Sequence, residues 1–101
     1  SMSAVYFMNL HCKPNEKSEL FGKAGGAYIN VLCIATSADD AKQQALSALH
    51  DWDLLEVDIA PQPAPRSFLR QPPKELREHV KTAVAGGIGM SFVTYPAVQI
   101  H

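Results

Sequence analysis

The chain has 101 residues, 47% of them apolar, with ten acidic and nine basic side chains for a formal charge of −1. That length suits one domain with one hydrophobic core, and the near-neutral balance removes a whole-molecule electrostatic case for nucleic acid. No apolar run is long enough for a membrane span. Cys12 and Cys33 lack the short spacing of a zinc site or a disulfide framework, and they read as small buried hydrophobes in a reducing, cytoplasmic setting.

Ser1 reads as a cloning remnant, and no signal-like segment follows it. Ala4 to Lys13 is the first expected strand, with Tyr6, Met8, Leu10 and Cys12 on one face. Val5, Phe7, Asn9 and His11 alternate on the other, which turns polar toward its end. Pro14 to Gly26 has the composition of a loop, long for a hairpin, with Leu20 and Phe21 placed to fold over the core. Ala27 to Thr36 is a second strand, broken only by Asn30, and so covered on both faces.

Ser37 fits a helix N-cap, and Asp40 completes the Ser-x-x-Asp capping pattern. In the helix that follows, Ala41, Ala45, Ala48, Leu49 and Trp52 make one apolar stripe. Leu54 to Ala60 alternates as a half-exposed edge strand, with Leu55, Val57 and Ile59 on one side and Glu56 and Asp58 on the other. Residues 61–73 form an internal proline-rich linker, since Pro61, Pro63 and Pro65 cannot continue a ladder. Pro72-Pro73 suits the first turn of a second helix with Leu76, Val80, Ala83 and Val84 as its core stripe. Gly86-Gly87 ends that helix, Ile88 to Tyr95 is the last strand, and an apolar tail follows.

The order strand, strand, helix, strand, helix, strand (ββαβαβ) gives a single α+β domain over residues 1–101. The expected form is a two-layer sandwich of a four-stranded mixed sheet with two helices on one face. Tyr28, Leu32, Ile34, Val93, Tyr95, Val5 and Phe7 then line the opposite face, an apolar patch larger than soluble monomers usually expose. A homodimer packed sheet to sheet would cover it; the bland alternative is cover by the chain's own tail.

The stretch Ala27-Tyr28-Ile29-Asn30-Val31 through Ser37, Ala41, Ala45, Leu49 and Trp52 to Glu56-Val57 resembles a recurring pattern in small uncharacterised bacterial proteins with a ferredoxin-like layer. The closing Ala85-Gly86-Gly87-Ile88-Gly89-Met90-Ser91-Phe92-Val93-Thr94-Tyr95-Pro96 is similar to the close of the same proteins. The resemblance covers about half the chain. It implies a ferredoxin-like fold and dimerisation, and it brings no activity with it.

Among polar residues, Asn9, His11, Tyr28, Asn30, Ser91 and Tyr95 fall on the outward face, where they line one shared ligand pocket or pair across a dimer interface. His11, His50, His79 and His101 lack ligand-pair spacing, so no metal and no cofactor is expected. His79 borders the core of the second helix. Gly86-Gly87-Ile88-Gly89 follows a helix and precedes a strand, the reverse of a phosphate cradle.

Charge is unevenly placed. Asp39 to Asp58 holds six acids and one lysine, whereas Arg66, Arg70, Lys74, Arg77 and Lys81 face two acids over the next helical region. A solvated surface explains this, and so does a basic face for an acidic partner. The leading expectation is a non-enzymatic binding module for a small ligand or protein partner. The rival is a small dimeric enzyme using His11 as general acid or base in an apolar cleft, a side-chain type that suits such work near neutral pH.

Overall fold

The computed structural model describes residues 2–51, 54–58 and 61–97. Its strands are β1 (Ala4–Pro14), β2 (Gly26–Ala35), β3 (Leu54–Asp58), the two-residue β4 (Gln62–Pro63) and β5 (Ile88–Tyr95). Its helices are α1 (Ala38–Asp51), α2 (Arg66–Arg70) and α3 (Arg77–Val84), the last entered through a 3-10 turn at Lys74–Leu76. Ser1, Trp52, Asp53, Ile59, Ala60 and the tail 98–101 lie outside the described residues, as does the facing of Leu55, Val57, Glu56 and Asp58, so the expectations placed on them stay open.

The sheet runs β3-β1-β2-β5, with β4 also on β1, and every pairing is antiparallel. The expected mixed sheet is therefore corrected. β1 and β2 form the centre through a register that sets Ala4 against Ala35 and Cys12 against Ala27. The two-residue period then sends Met8, Leu10 and Cys12 to one face together with Ala27, Ile29, Val31, Cys33 and Ala35. Ala41, Ala45 and Leu49 of α1 close on them, small residues that let the helix lie near the sheet. Ala48 is half-buried beside that stripe. Leu20 of the long loop also packs on this core, whereas Phe21 is 55% exposed.

α1 begins where the capping pattern placed it. The Asp40 N–H donates to Ser37 Oγ at 3.0 Å, and Asp40 Oδ2 accepts from the Thr36 N–H at 2.9 Å. Gln44 Nε2 reaches back to the Ile34 carbonyl at 2.9 Å, tying the first turns of the helix to the strand before it.

The second helical layer lies on the opposite face of the sheet, which corrects the two-layer arrangement with both helices on one side. Val80 and Ala83 of α3 pack on Leu32, with Val5, Phe7, Phe68 and Leu69 around them. These strand residues have the outward parity, and Phe7 and Phe68 meet with ring centroids 5.5 Å apart. The handedness rule binds parallel crossovers such as β2-α1-β3. β4 and β5 run antiparallel to each other, so the chain between them is free to cross beneath the sheet and bury Leu32. A ferredoxin-like layer with both helices on one face differs from this arrangement.

The proline-rich stretch is likewise more ordered than a linker. Gln62 and Pro63 pair with Phe7 and Tyr6, and the Ala64 N–H donates to the Val5 carbonyl at 2.8 Å. Proline is tolerated because β4 lies on the sheet edge, where a missing donor faces solvent. Pro73 caps the 3-10 turn instead of starting a regular helix, and Val84, expected in the core stripe, is 57% exposed. Gly86 has φ 98°, the left-handed stop expected after α3.

Candidate functional site

Three successive cross-strand rungs build the part of the outer face that α2 and α3 leave open. The first sets Asn9, Asn30 and Ser91 side by side on β1, β2 and β5, and the second sets His11, Tyr28 and Val93. In the third, Tyr95 lies opposite Gly26. Side chains on one rung share a face, so the expected set Asn9, His11, Tyr28, Asn30, Ser91 and Tyr95 is gathered on one surface.

The contacts within that surface are specific. His11 Nε2 and the Tyr95 hydroxyl are 2.6 Å apart, and the His11 ring stacks on Tyr28 with centroids 4.7 Å apart and planes 17° from parallel. Tyr95 leans toward both, its centroid 5.6 Å from His11 and 5.7 Å from Tyr28. One rung away, Asn9 Nδ2 donates to Asn30 Oδ1 at 2.8 Å. That bond leaves the Asn30 amide hydrogens and the Asn9 carbonyl oxygen for another partner.

Glycine makes the cluster possible. The Tyr95 ring crosses β2 at Gly26 to reach His11 on the next strand, and a Cβ at Gly26 would overlap the Tyr95 hydroxyl and sit 2.6 Å from Cζ. A Cβ at Gly25 would meet Tyr95 Cε1 at 2.9 Å. Glycine inside a strand accompanies such a close approach, but Gly26 read as the last residue of a loop, so the His11 and Tyr95 contact was not visible in the sequence. On the other side, Gly89 belongs to the rung of Leu32, where α3 seats its His79 backbone against the sheet. The helix thus borders the amide rung.

No protein-family model, curated protein or solved structure matches this chain. The site's own chemistry therefore carries the functional reading. Tyr28 is 50% and Val93 61% exposed, and His11, Asn30, Ser91 and Tyr95 are half-buried. The surface is an open, mixed aromatic and amide platform beside a helix, with hydrogen-bond donors and acceptors set between rings.

Arg66, Arg70, Lys74, Arg77 and Lys81 are all exposed on α2, the 3-10 turn and α3, the layer that borders this platform. Lys81 pairs with Glu78 at 3.3 Å, a surface contact of little energetic weight. Because α1 lies on the opposite face, its acidic first turn, Asp39 and Asp40, and these bases stand on opposite sides of the sheet. His50 ends α1 beside an open groove with Asn15, Glu16 and Lys17, and His79 is half-buried on α3. Among the described residues no group of three His, Cys, Asp or Glu side chains is close enough to hold a metal ion.

The cysteines are buried thiols on the α1 face. Cys12 lies opposite Ala27 and Cys33 opposite Tyr6, roughly 20 Å apart along the ladder and far beyond disulfide reach. Burial pushes the Cys33 thiol above its ordinary range, and the Asp40 carboxylate adds to this. A protonated thiol shielded from solvent is no nucleophile.

Proposed function

We propose that this chain is a binding module that recognises a small ligand or protein partner through the open half of its outer sheet face and catalyses no reaction. The observation behind it is the cluster of His11, Tyr28 and Tyr95 beside the Asn9 and Asn30 amides, gathered on one open surface. Aromatic faces supply contact area at small entropic cost, and amides supply direction. α2 and α3, on the same side of the sheet as the platform, carry exposed bases that favour an anionic or acidic ligand over a cationic one.

Self-association through this same face has less support. The rung that made it apolar, Phe7 and Leu32, lies under α3, and Phe68 and Leu69 pack beside it. A second reading, a small enzyme with His11 as general acid or base, draws on the short contact between His11 Nε2 and the Tyr95 hydroxyl. A phenol at that distance holds the ring and competes for the nitrogen a substrate would use. The first reading is the better supported.

Amide and aromatic NMR shifts, followed while aromatic carboxylates, simple amides and monosaccharides are titrated in, test it directly. Shifts centred on Asn9, His11, Tyr28, Asn30, Ser91 and Tyr95, lost in Tyr28→Ala, are expected. Binding that leaves these six unmoved, or turnover of a chromogenic ester that disappears in His11→Ala, overturns it.

A further inference from the structure

The two edges of the sheet are built differently. At the β3 and β4 edge the ladder slips between His11 and Cys12, Pro61 and Pro63 interrupt the donors, and Glu56 and Asp58 add charge. Slips, prolines and charges are the devices by which proteins keep an edge from pairing with another strand. β5 has none of them. Ile88 to Tyr95 runs eight residues without a charge, a proline or a register slip against β2, and β2 is its only strand neighbour among the described residues.

The flanks of β5 are open too. On the α1 face, a groove of about 400 Å³ runs between Ile88 and the helix residues Gln43, Gln44, Ser47 and Ala48. On the outer face Val93 is 61% exposed and Ile88 is 36% exposed on the inner one. An unguarded edge with apolar side chains on both flanks calls for a strand that brings its own flanking groups.

We propose that β5 pairs antiparallel with β5 of a second copy about a two-fold axis normal to the sheet, giving one continuous antiparallel sheet. The occupant is a second copy because the strand is complementary to itself. It opposes no like charges, and a two-fold normal to the sheet keeps inner faces with inner faces. In the register centred on Ser91, Val93 of one copy comes beside Gly89 of the other, where α3 packs on the outer face, and Ile88 meets Thr94, so the two exposed apolar residues of the strand both gain cover. Pairing β5 with the far edge of another copy is blocked by that edge's guards, and it would propagate without closing.

The size of the contact sets its strength. Eight residues span roughly 26 Å, and a sheet with its flanking layers is about 20 Å thick. Roughly 500 Å² per copy, about 1,000 Å² in all, lies at the lower limit for a specific interface. The dimer is weak and forms in the micromolar range or above. The proposal does not rest on the reading of the outer face, whose ligand titration reports on different residues.

Light scattering over a dilution series, with hydrogen exchange of the β5 amides at its two ends, tests it. Expected are a mass that doubles at high concentration and β5 amides whose protection rises at least tenfold with it. Thr94→Lys, at an exposed position, returns the mass to one chain at every concentration, and Tyr28→Ala leaves the dimer intact. Circular dichroism checks that both variants fold. A chain that stays single throughout, a dimer that survives Thr94→Lys without β5 protection, or one lost only in Tyr28→Ala overturns the proposal. So does a dimer that appears only after the chain is cut back to Ala97, since the edge would then be covered by the chain's own tail.

Discussion

At the residue scale, the start of α1 shows how one carboxylate joins strand to helix. The Thr36 N–H donates to Asp40 and holds its carboxyl below the usual aspartate range; partial desolvation opposes this, and the Gln44 amide and Thr36 hydroxyl reinforce it. A depressed folded pKa contributes stability above the unfolded aspartate value, about 3.9, and that contribution is lost as pH falls through the lower folded value. Asp40→Asn is expected to be less stable than wild type at pH 7, and the two converge in strong acid once Asp40 is protonated, which urea unfolding at both ends of the pH range reads. Ser37→Ala removes the acceptor of the Asp40 N–H and costs about 1 kcal/mol at either pH. These residues were legible in advance, because a capping box is written in four consecutive positions. Gly26 was not, since its role depends on a tyrosine sixty-nine positions later in the chain crossing over it.

At the element scale, the decisive contact is α3 on β5. A Cβ at Gly89 would overlap the His79 carbonyl oxygen and stand 2.8 Å from its carbon, and neither helix backbone atom can give way alone. Gly89→Ala must therefore lift α3 from the sheet, at a cost of about 1–3 kcal/mol, the range for overpacking. Gly87→Ala meets the Thr82 methyl at 3.1 Å, a group that can shift, and the Thr82 carbonyl oxygen at an ordinary 3.4 Å, and is expected to cost less. Urea denaturation of the pair gives the comparison. Of the stripe Leu76, Val80, Ala83 and Val84 that the sequence pattern assigned to this helix, the first three are buried and Val84 is exposed, because a 3.6-residue period separates one helical face from the other but not its border. It carried no information on which face of the sheet the helix would meet. That choice came from Leu32, Val5 and Phe7, apolar residues on the outward side that α1 could not cover. The proline-rich stretch was misread for a related reason, since proline forbids a central ladder position and leaves an edge position open.

At the scale of the whole molecule, the sheet separates two cores of unequal size. Among the described residues, eleven buried residues join α1 to β1 and β2 in one cluster, whereas the cluster on the other side holds Leu32, Val80 and Ala83, with Leu76 buried at the entry to α3. Each large apolar side chain taken from water contributes about 1.5–3 kcal/mol, so the α1 side holds most of the stability and the α2 and α3 layer is fastened by a few contacts. Cooperative units with few buried contacts open without unfolding the rest. Native-state hydrogen exchange is therefore expected to find the α3 amides from Val80 to Val84 exchanging through an opening of lower free energy than Met8, Leu10, Ile29 and Val31. Equal opening energies for the two groups would mean that the cores unfold as one. The difference bears on function, because the opening that frees α3 also uncovers Phe7 and Leu32, the rung next to Asn9, Asn30 and Ser91. A ligand with an apolar part reaching past the amide rung would bind the opened form better and raise α3 exchange, whereas one confined to Tyr28, His11 and Tyr95 would leave it unchanged. Exchange measured with and without a bound fragment thus tells how far along the sheet the recognised molecule extends.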